Sequence, residues 1–233
     1  MLASLINAIG VIAAAIIGTL CKNRVREKYT TALVTALAIV VGVLGVTYAI
    51  KTEDTLGMIL CLTAGTLVGE WARIEDRLEA LGDRLKKRFE KPSEKSTFTQ
   101  GFVAASLLFC IGPMAVIGSI QAGTTGDMTI ILSKTVIDTV TALSFAVALG
   151  IGVAFSGFSV LIYQGLLTLL AIWISPYLGD AVINEITAVG GVMMIGICIN
   201  MLNLKKIRVG NMLPALFLPI FYQPFVNWLT SVF

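Results

Sequence analysis

The stretch TIILSKTVIDTVTALSFAVALGIGVAFSGFSVLIYQGLLTLLAIWISP, residues 129–176, contains only two charged side chains, Lys134 and Asp138. A helix that crosses the ~30 Å hydrocarbon core of a bilayer needs about 20 mostly apolar residues. The stretch is long enough for two such helices, and we predict membrane spans at about 129–154 and 158–176. The uncharged turn FSGFS, residues 155–159, would separate them; seven spans plus a re-entrant segment is the alternative.

The whole chain is similarly apolar. Of its 233 residues, 57% are hydrophobic and 13% charged, and the mean hydropathy is +0.90. Soluble domains are about 45–50% apolar and about 25% charged. We therefore predict a single integral membrane domain over residues 1–233, an all-α polytopic transmembrane helical bundle of about seven or eight spans. The first span lacks the basic start of a signal peptide, so we expect it to be retained. Besides the two spans in 129–176, we expect six more, at about 2–20, 32–50, 55–70, 99–120, 186–204 and 211–231.

The distribution of basic residues predicts an orientation. Cytoplasmic loops of membrane proteins carry an excess of Lys and Arg. With the N-terminus outside, the inward loops would hold 15 of the 17 basic residues: Lys22, Arg24, Arg26, Lys28, the eight between Arg73 and Lys95, Lys205, Lys206 and Arg208. The outward loops would then hold Lys51, Glu53, Asp54, Asp127, Asp180 and Glu185.

The charged stretch 70–95 has its own periodicity. Apolar residues recur at spacings of three and four, at Trp71, Ile74, Leu78, Leu81, Leu85 and Phe89. This spacing predicts an amphipathic helix, and KPSEKS, residues 91–96, predicts a linker. We predict that residues 71–95 form a cytoplasmic amphipathic helix and linker between the third and fourth spans. It either lies in the membrane interface or binds a regulatory partner.

Several kinds of function are disfavoured by what the chain lacks. It has no histidine, and its four cysteines show no metal-binding spacing, so we expect no metal, cofactor or disulfide. An aspartyl enzyme would need two carboxylates in one site, but Asp127 and Asp138 lie about 16 Å apart along a helix. We expect no catalytic residues. The basic residues follow the loop rule, so nucleic acid is not an expected partner.

The pair Lys134 and Asp138 is the strongest candidate site. A charge at the bilayer centre costs roughly 2.5–3.5 kcal/mol. Acid before base is the favourable helical order, and here the lysine comes first. We therefore expect both side chains to face a protein or water-filled interior, on one face with Asp127 and Thr141. An ion pair that only locks helices together remains the alternative.

Other polar and helix-breaking residues extend this candidate site. Asn7, Gln164 and Asn200 lie inside apolar spans, where amides must find partners. Gly112-Pro113 and the prolines of the last span predict broken helices, which line cavities in many transporters. The candidate binding residues are Lys134, Asp138, Thr141, Asn7, Gln164, Asn200 and Pro113.

Small residues predict close helix contacts. Gly10, Ala14 and Gly18 repeat every four residues, and Gly65 and Gly69 form a GxxxG pair. Such stripes let two backbones approach closely, within one chain or between two. A homo-oligomer is therefore an open alternative.

Long blocks of the sequence resemble a known family. GTLVGEWARIEDRLEALGDRLKKRF, GFVAASLLFCIGPMAVIGSI, LSKTVIDTVTALSFAVALGIGVAFS, YQG and IRVGNMLPAL are similar to the YdfK/YqgA family of bacterial membrane proteins, domain of unknown function 554. The resemblance implies a multi-pass protein of the bacterial cytoplasmic (inner) membrane, sometimes supposed to be a transporter. It implies no particular substrate.

Together these features favour a secondary transporter or ion-coupled carrier. Asp138 would bind a proton or cation, and Lys134 would neutralise it or contact an anion. The expected partners are the lipid bilayer and a small solute or ion. An oligomeric channel is one alternative, and a non-transporting scaffold or sensor acting through the cytoplasmic helix is another.

Overall fold

A computed structural model of the chain describes residues 1–22, 27–89 and 96–232. These residues form helices and no β-strand. The α-helices are α1 Leu2–Lys22, α2 Glu27–Ala49, α3 Thr55–Ala72, α4 Ile74–Phe89, α5 Phe98–Ile111, α6 Pro113–Thr124, α7 Thr129–Leu149, α8 Gly152–Ile174, α9 Asp180–Met201 and α10 Pro219–Val232. Short 3-10 helices cover Ser175–Tyr177 and Val209–Leu216.

The helices confirm a polytopic bundle. Six of them, α1, α2, α3, α7, α8 and α9, are long and apolar enough to cross a membrane within the described residues. Two bent helix pairs, α5 with α6 at 59° and the 209–216 helix with the start of α10 at 41°, are each a broken span or a re-entrant loop. Both bends fall at prolines that the sequence marked, Pro113 and Pro219, because proline cannot continue the preceding helix. Counting each pair as one span gives eight.

One predicted boundary is wrong. The turn between the fifth and sixth spans lies at Gly150 and Ile151, and FSGFS, residues 155–159, lies inside α8. Gly150 has φ +87°, a conformation that side-chain-bearing residues rarely adopt. Gly157 serves packing instead: a Cβ there would lie 2.5 Å from Ile12 Cγ1 of α1.

The charged stretch forms a helix separated from α3. Arg73 adopts a left-handed conformation that ends α3, so the amphipathic helix begins at Ile74 and not at residue 71. Gly82 of α4 lies against α5, where a Cβ would be 3.0 Å from Phe102. The predicted linker lies mostly outside the described residues. The cytoplasmic location of α4 stays a prediction.

The basic segments lie near one another. Lys206, in the loop after α9, pairs with Glu79 of α4 at 2.6 Å between Nζ and Oε1. Lys22, at the end of α1, donates to Thr97 Oγ1, just before α5, at 3.1 Å. The loops that we predict to face the cytoplasm therefore meet at one end of the bundle.

The small-residue stripes pack within the chain. A Cβ on Gly18 of α1 would lie 2.4 Å from the carbonyl oxygen of Leu143 on α7. A Cβ on Gly69 of α3 would lie 1.8 Å from the carbonyl oxygen of Asn211 in the 209–216 helix. Both glycines are thus needed for close backbone contacts inside one subunit.

Candidate functional site

Four of the polar residues predicted from the sequence meet in the interior of the bundle. Asn7 Nδ2 donates to Asp138 Oδ2 at 3.0 Å and lies 3.2 Å from Gln164 Oε1. Lys134 Nζ donates to the same oxygen of Asp138 and forms an ion pair with it. Asn7 and Gln164 are 0% exposed, and Lys134 and Asp138 are 5% exposed. We call these four residues the polar centre.

The packing of α1 explains why the centre forms. Gly10 and Gly18 press α1 against α7; a Cβ on Gly10 would lie 2.7 Å from Thr139 Oγ1. Asn7 precedes Gly10 by almost one turn, so it lies beside the same face of α7 and meets Asp138. The stripe of small residues thus brings together side chains that are 131 residues apart in sequence.

A cavity of about 130 Å³ lies beside the polar centre. It is lined by Lys134, Asp138 and Thr141 of α7, and by Gly112 and Pro113 at the break between α5 and α6. Helices α2 and α9 complete its wall. The buried ion pair and the broken helix predicted from the sequence therefore border the same space.

Some buried polar atoms at the centre have no partner. Within the part of the chain that the structure describes, Asn7 Oδ1 and Gln164 Nε2 make no hydrogen bond. Such groups are rare in folded proteins. The centre thus retains one free acceptor atom, Asn7 Oδ1, and the two N–H donors of Gln164 Nε2.

Two further residues of the same network were not predicted from the sequence. Ser4 and Thr168 lie within 3.4 Å of each other through their hydroxyls, and Thr168 donates to the backbone carbonyl of Gln164 at 2.8 Å. The helical spacing gave a signal, since Ser4 precedes Asn7 by three residues and Thr168 follows Gln164 by four. Both extend the polar face of α1 and α8.

Two other sequence expectations, those for Asn200 and Asp127, need correction. Asn200 does not reach the centre. Its Nδ2 donates to the backbone carbonyl of Ile207, and its Oδ1 accepts from the backbone N–H of Ile207, both at 2.7 Å. Asp127 lies before α7 and accepts hydrogen bonds from Gln121 and Thr129, so it does not share the face of the pair. Thr141 lines the cavity, but its hydroxyl donates to the carbonyl of Ile137 at 2.8 Å.

Glu185 was expected in an outward loop, and this is wrong. It lies in α9 with 1% exposure. Its Oε1 accepts hydrogen bonds from Thr52 Oγ1 and from the backbone N–H groups of Glu53 and Asp54, at 2.8 to 3.1 Å. The spacing of Val182, Glu185 and Ile186 signalled a buried helical face. Glu185 therefore fastens the α2–α3 loop to α9.

A second buried carboxylate joins α4 to the 209–216 helix. Glu75 Oε2 accepts from the backbone N–H of Gly210 at 2.5 Å, and the backbone N–H of Glu75 donates to Asn211 Oδ1 at 2.7 Å. Burial raises the pKa of Glu75 above its usual 4.5, although the hydrogen bond from Gly210 opposes this. Among the described residues, no group of three or more Cys, Asp or Glu side chains is arranged to hold a metal ion.

The fold and the polar centre together define a multi-pass α-helical membrane protein with a buried ion pair beside a broken helix. The chain belongs to the family described as "Protein of unknown function (DUF554)", whose model matches residues 2–223. The resemblance seen in the sequence is thus confirmed.

Two relatives cover almost the whole chain. It is 29% identical over 223 residues to the "Uncharacterized membrane protein YdfK" of Bacillus subtilis (strain 168), covering 94% of each chain. It is 30% identical over 217 residues to the "Uncharacterized protein YqgA" of Escherichia coli (strain K12), covering 91% of this chain and 92% of YqgA. No solved structure matches.

Proposed function

We propose that this protein is a carrier that binds a small solute or ion at the polar centre and moves it across the bacterial cytoplasmic membrane. One observation carries the proposal: the buried pair of Lys134 and Asp138 borders a cavity at the helix break of Gly112 and Pro113. Ionisable residues inside a membrane are rare and mark substrate or ion pathways. Discontinuous helices beside such residues are typical of secondary transporters.

A second cavity supports a route to the site. It has about 460 Å³ and lies along the same helices, α5 and α9, toward the basic end of the bundle. Leu107 and Ile197 line this larger cavity, whereas Leu108 and Met194 line the smaller one. In our proposal these four side chains separate an inner vestibule from the binding site, and their movement would join the two spaces.

We also propose the orientation, with the N-terminus outside and α4 in the cytoplasm. The support is the meeting of the basic segments at one end of the bundle, as the positive-inside rule requires of loops on one side. The larger cavity, lined by Lys205 and Lys206 together with Glu75 and Glu79, would then open to the cytoplasm.

A ligand screen on purified protein tests the carrier proposal. Amino acids, carboxylates, alkali cations and divalent cations would be tested at two pH values for their effect on the unfolding midpoint, since a ligand stabilises the state that binds it. Asp138→Asn is the site variant, and Asp127→Asn is the matched control because Asp127 is outside the centre. We expect a compound that shifts the wild type and Asp127→Asn but not Asp138→Asn. Equal shifts in all three proteins would contradict the proposed site.

A sensor acting through α4 has its own supporting observation. Glu75 links α4 to the 209–216 helix, and that helix packs closely on Gly69 of α3. A partner that pulled on α4 would therefore act on the transmembrane bundle. This alternative predicts that Asp138→Asn keeps biological activity and that Glu75→Ala loses it.

A further inference from the structure

We propose that the ligand of the polar centre is a small zwitterion, a molecule with an ammonium and a carboxylate attached to the same carbon atom, such as a small α-amino acid. This inference rests on the proposed carrier function and names its substrate class. It is argued from the hydrogen-bonding capacity, the charge balance and the size of the space beside Lys134 and Asp138.

Lys134 and Asp138 have hydrogen-bonding capacity that the described residues do not use. Both hydrogen bonds that Asp138 accepts end on Oδ2, and none from the described residues reaches Oδ1. Lys134 Nζ carries three N–H donors, and Asp138 is its one hydrogen-bond acceptor in the described part of the chain. Both side chains line the cavity. The wall therefore offers a free acceptor to an ammonium and free donors to a carboxylate.

The charges of the side chains that line the cavity balance each other. Lys134 and Asp138 carry opposite charges, and the residues that share their cavity are otherwise uncharged. A lone anion or a lone cation would leave one buried charge without compensation, which is strongly unfavourable in an apolar surrounding. A zwitterion adds no net charge, and each of its ends meets an opposite partner. The balance thus favours a ligand with both charges.

The cavity is small and its lining is mostly apolar. The volume, about 130 Å³, is close to that of a ~150 Å³ protein cavity that admits one benzene. Alanine has as many non-hydrogen atoms as benzene. Apart from Tyr48, Thr141 and the charged pair, the lining side chains are apolar. A small amino acid with a short apolar side chain fits this space, which is partly open because Val40 and Ile137 of its wall are 54% and 55% exposed.

The ring of Phe109 fits the same ligand. Its centroid lies 5.9 Å from Lys134 Nζ, so its face is turned toward positive charge at the cavity wall. If the ligand carboxylate replaces Asp138 as the partner of Lys134, Phe109 still faces the lysine. The ligand ammonium can then bind the carboxylate of Asp138. The exchange keeps every buried charge beside an opposite one.

Alanine and its two halves test the inference. Propionate is alanine without the ammonium, and ethylamine is alanine without the carboxylate. We expect alanine to raise the unfolding midpoint of the wild type, with each half binding at least about tenfold more weakly, because each forfeits a charge-assisted hydrogen bond.

A cavity-filling variant guards against misfolding of the charge variants. Gly112 lines the cavity, has an extended backbone (φ −65°, ψ 145°), and a Cβ there would meet nothing within 4 Å. Gly112→Val should therefore fold normally, since the residue before a proline prefers this conformation. We expect it to lose the alanine shift while Asp127→Asn keeps it.

The outcomes separate this inference from the carrier proposal. If propionate binds as tightly as alanine, and more tightly in acid, the ligand is an anion bound together with a proton. This result would overturn the zwitterion inference and leave the carrier proposal intact. Ethylamine equal to alanine would overturn the inference in favour of a cation site. No shift with alanine would also overturn it, and a wider panel that shifts nothing would overturn the carrier proposal too.

Discussion

Asn7 of α1 and Asp138 of α7 are joined by a hydrogen bond of 3.0 Å between Nδ2 and Oδ2, in the interior of the bundle. The bond connects the first helix to the helix that carries the buried lysine. It depends on close packing of α1 and α7 along a stripe of glycines. The predictions below test that arrangement and the function built on it.

Removing both charges should be less harmful than removing one. Lys134→Met leaves the carboxylate of Asp138 without its cation, and Asp138→Asn leaves a buried ammonium unpaired, each at about 3–5 kcal/mol. The double variant removes both charges and should be more stable than either single variant. Unfolding midpoints of the four proteins test this. Losses that simply add would show that the two side chains do not stabilise each other.

The contact of α1 with α7 should tolerate no side chain at position 18. A Cβ on Gly18 would lie 2.4 Å from the backbone oxygen of Leu143, which cannot move alone. We expect Gly18→Leu to lose at least about 1–3 kcal/mol of stability. Ala13→Leu, on the exposed face of the same helix, is the matched control and should stay within about 0.5 kcal/mol. Equal midpoints for the two variants would contradict the packing.

Glu75 should make stability depend on pH. Because burial raises its pKa in the folded state, the folded protein holds this proton more tightly than the unfolded chain. Its contribution is thus full below the usual pKa of about 4.5 and is lost as the pH rises through the folded pKa. The unfolding midpoint of the wild type minus that of Glu75→Gln should be highest near pH ~4.5 and lower near pH ~7.5. A difference that is constant with pH would contradict this.

Glu185 should be replaceable by glutamine but not by leucine. Oε1 accepts three hydrogen bonds, two of them from backbone N–H groups of the α2–α3 loop, and a glutamine oxygen can accept the same three. Leucine would remove this acceptor from Thr52 and from the backbone N–H of Glu53, at about 1–3 kcal/mol for each donor left unsatisfied, whereas the N–H of Asp54 also donates to Thr52 Oγ1 at 3.2 Å. We expect Glu185→Leu to unfold at a clearly lower temperature than Glu185→Gln. Equal midpoints would mean that the loop does not depend on these bonds.

The spans were predictable because length and hydropathy decide them directly. Each predicted span corresponds to a helix or a bent pair, and Pro113 marked its break correctly. The boundary at Gly150 was missed because no charge marks it and FSGFS has more of the usual turn residues. Only the backbone shows that Gly150 has a positive φ while Gly157 packs on α1.

The candidate site was half predictable. Burial in an apolar span identified Asn7, Gln164, Lys134 and Asp138, and the structure brings them together. Asn200 satisfied the same criterion but bonds a local turn, since hydropathy does not show which way a side chain faces. Glu185 was assigned to a loop because it precedes the apolar run, and only its three hydrogen bonds explain how a carboxylate is buried there.

Uptake of labelled alanine by proteoliposomes tests the central claim most directly. Liposomes would contain the wild type, Asp138→Asn or the control Asp127→Asn, with empty liposomes as the baseline. The account predicts uptake above the baseline for the wild type and Asp127→Asn, and uptake at the baseline for Asp138→Asn. Uptake by Asp138→Asn equal to that of the wild type would contradict a transport site at the polar centre, and baseline uptake by all three proteins would contradict alanine transport.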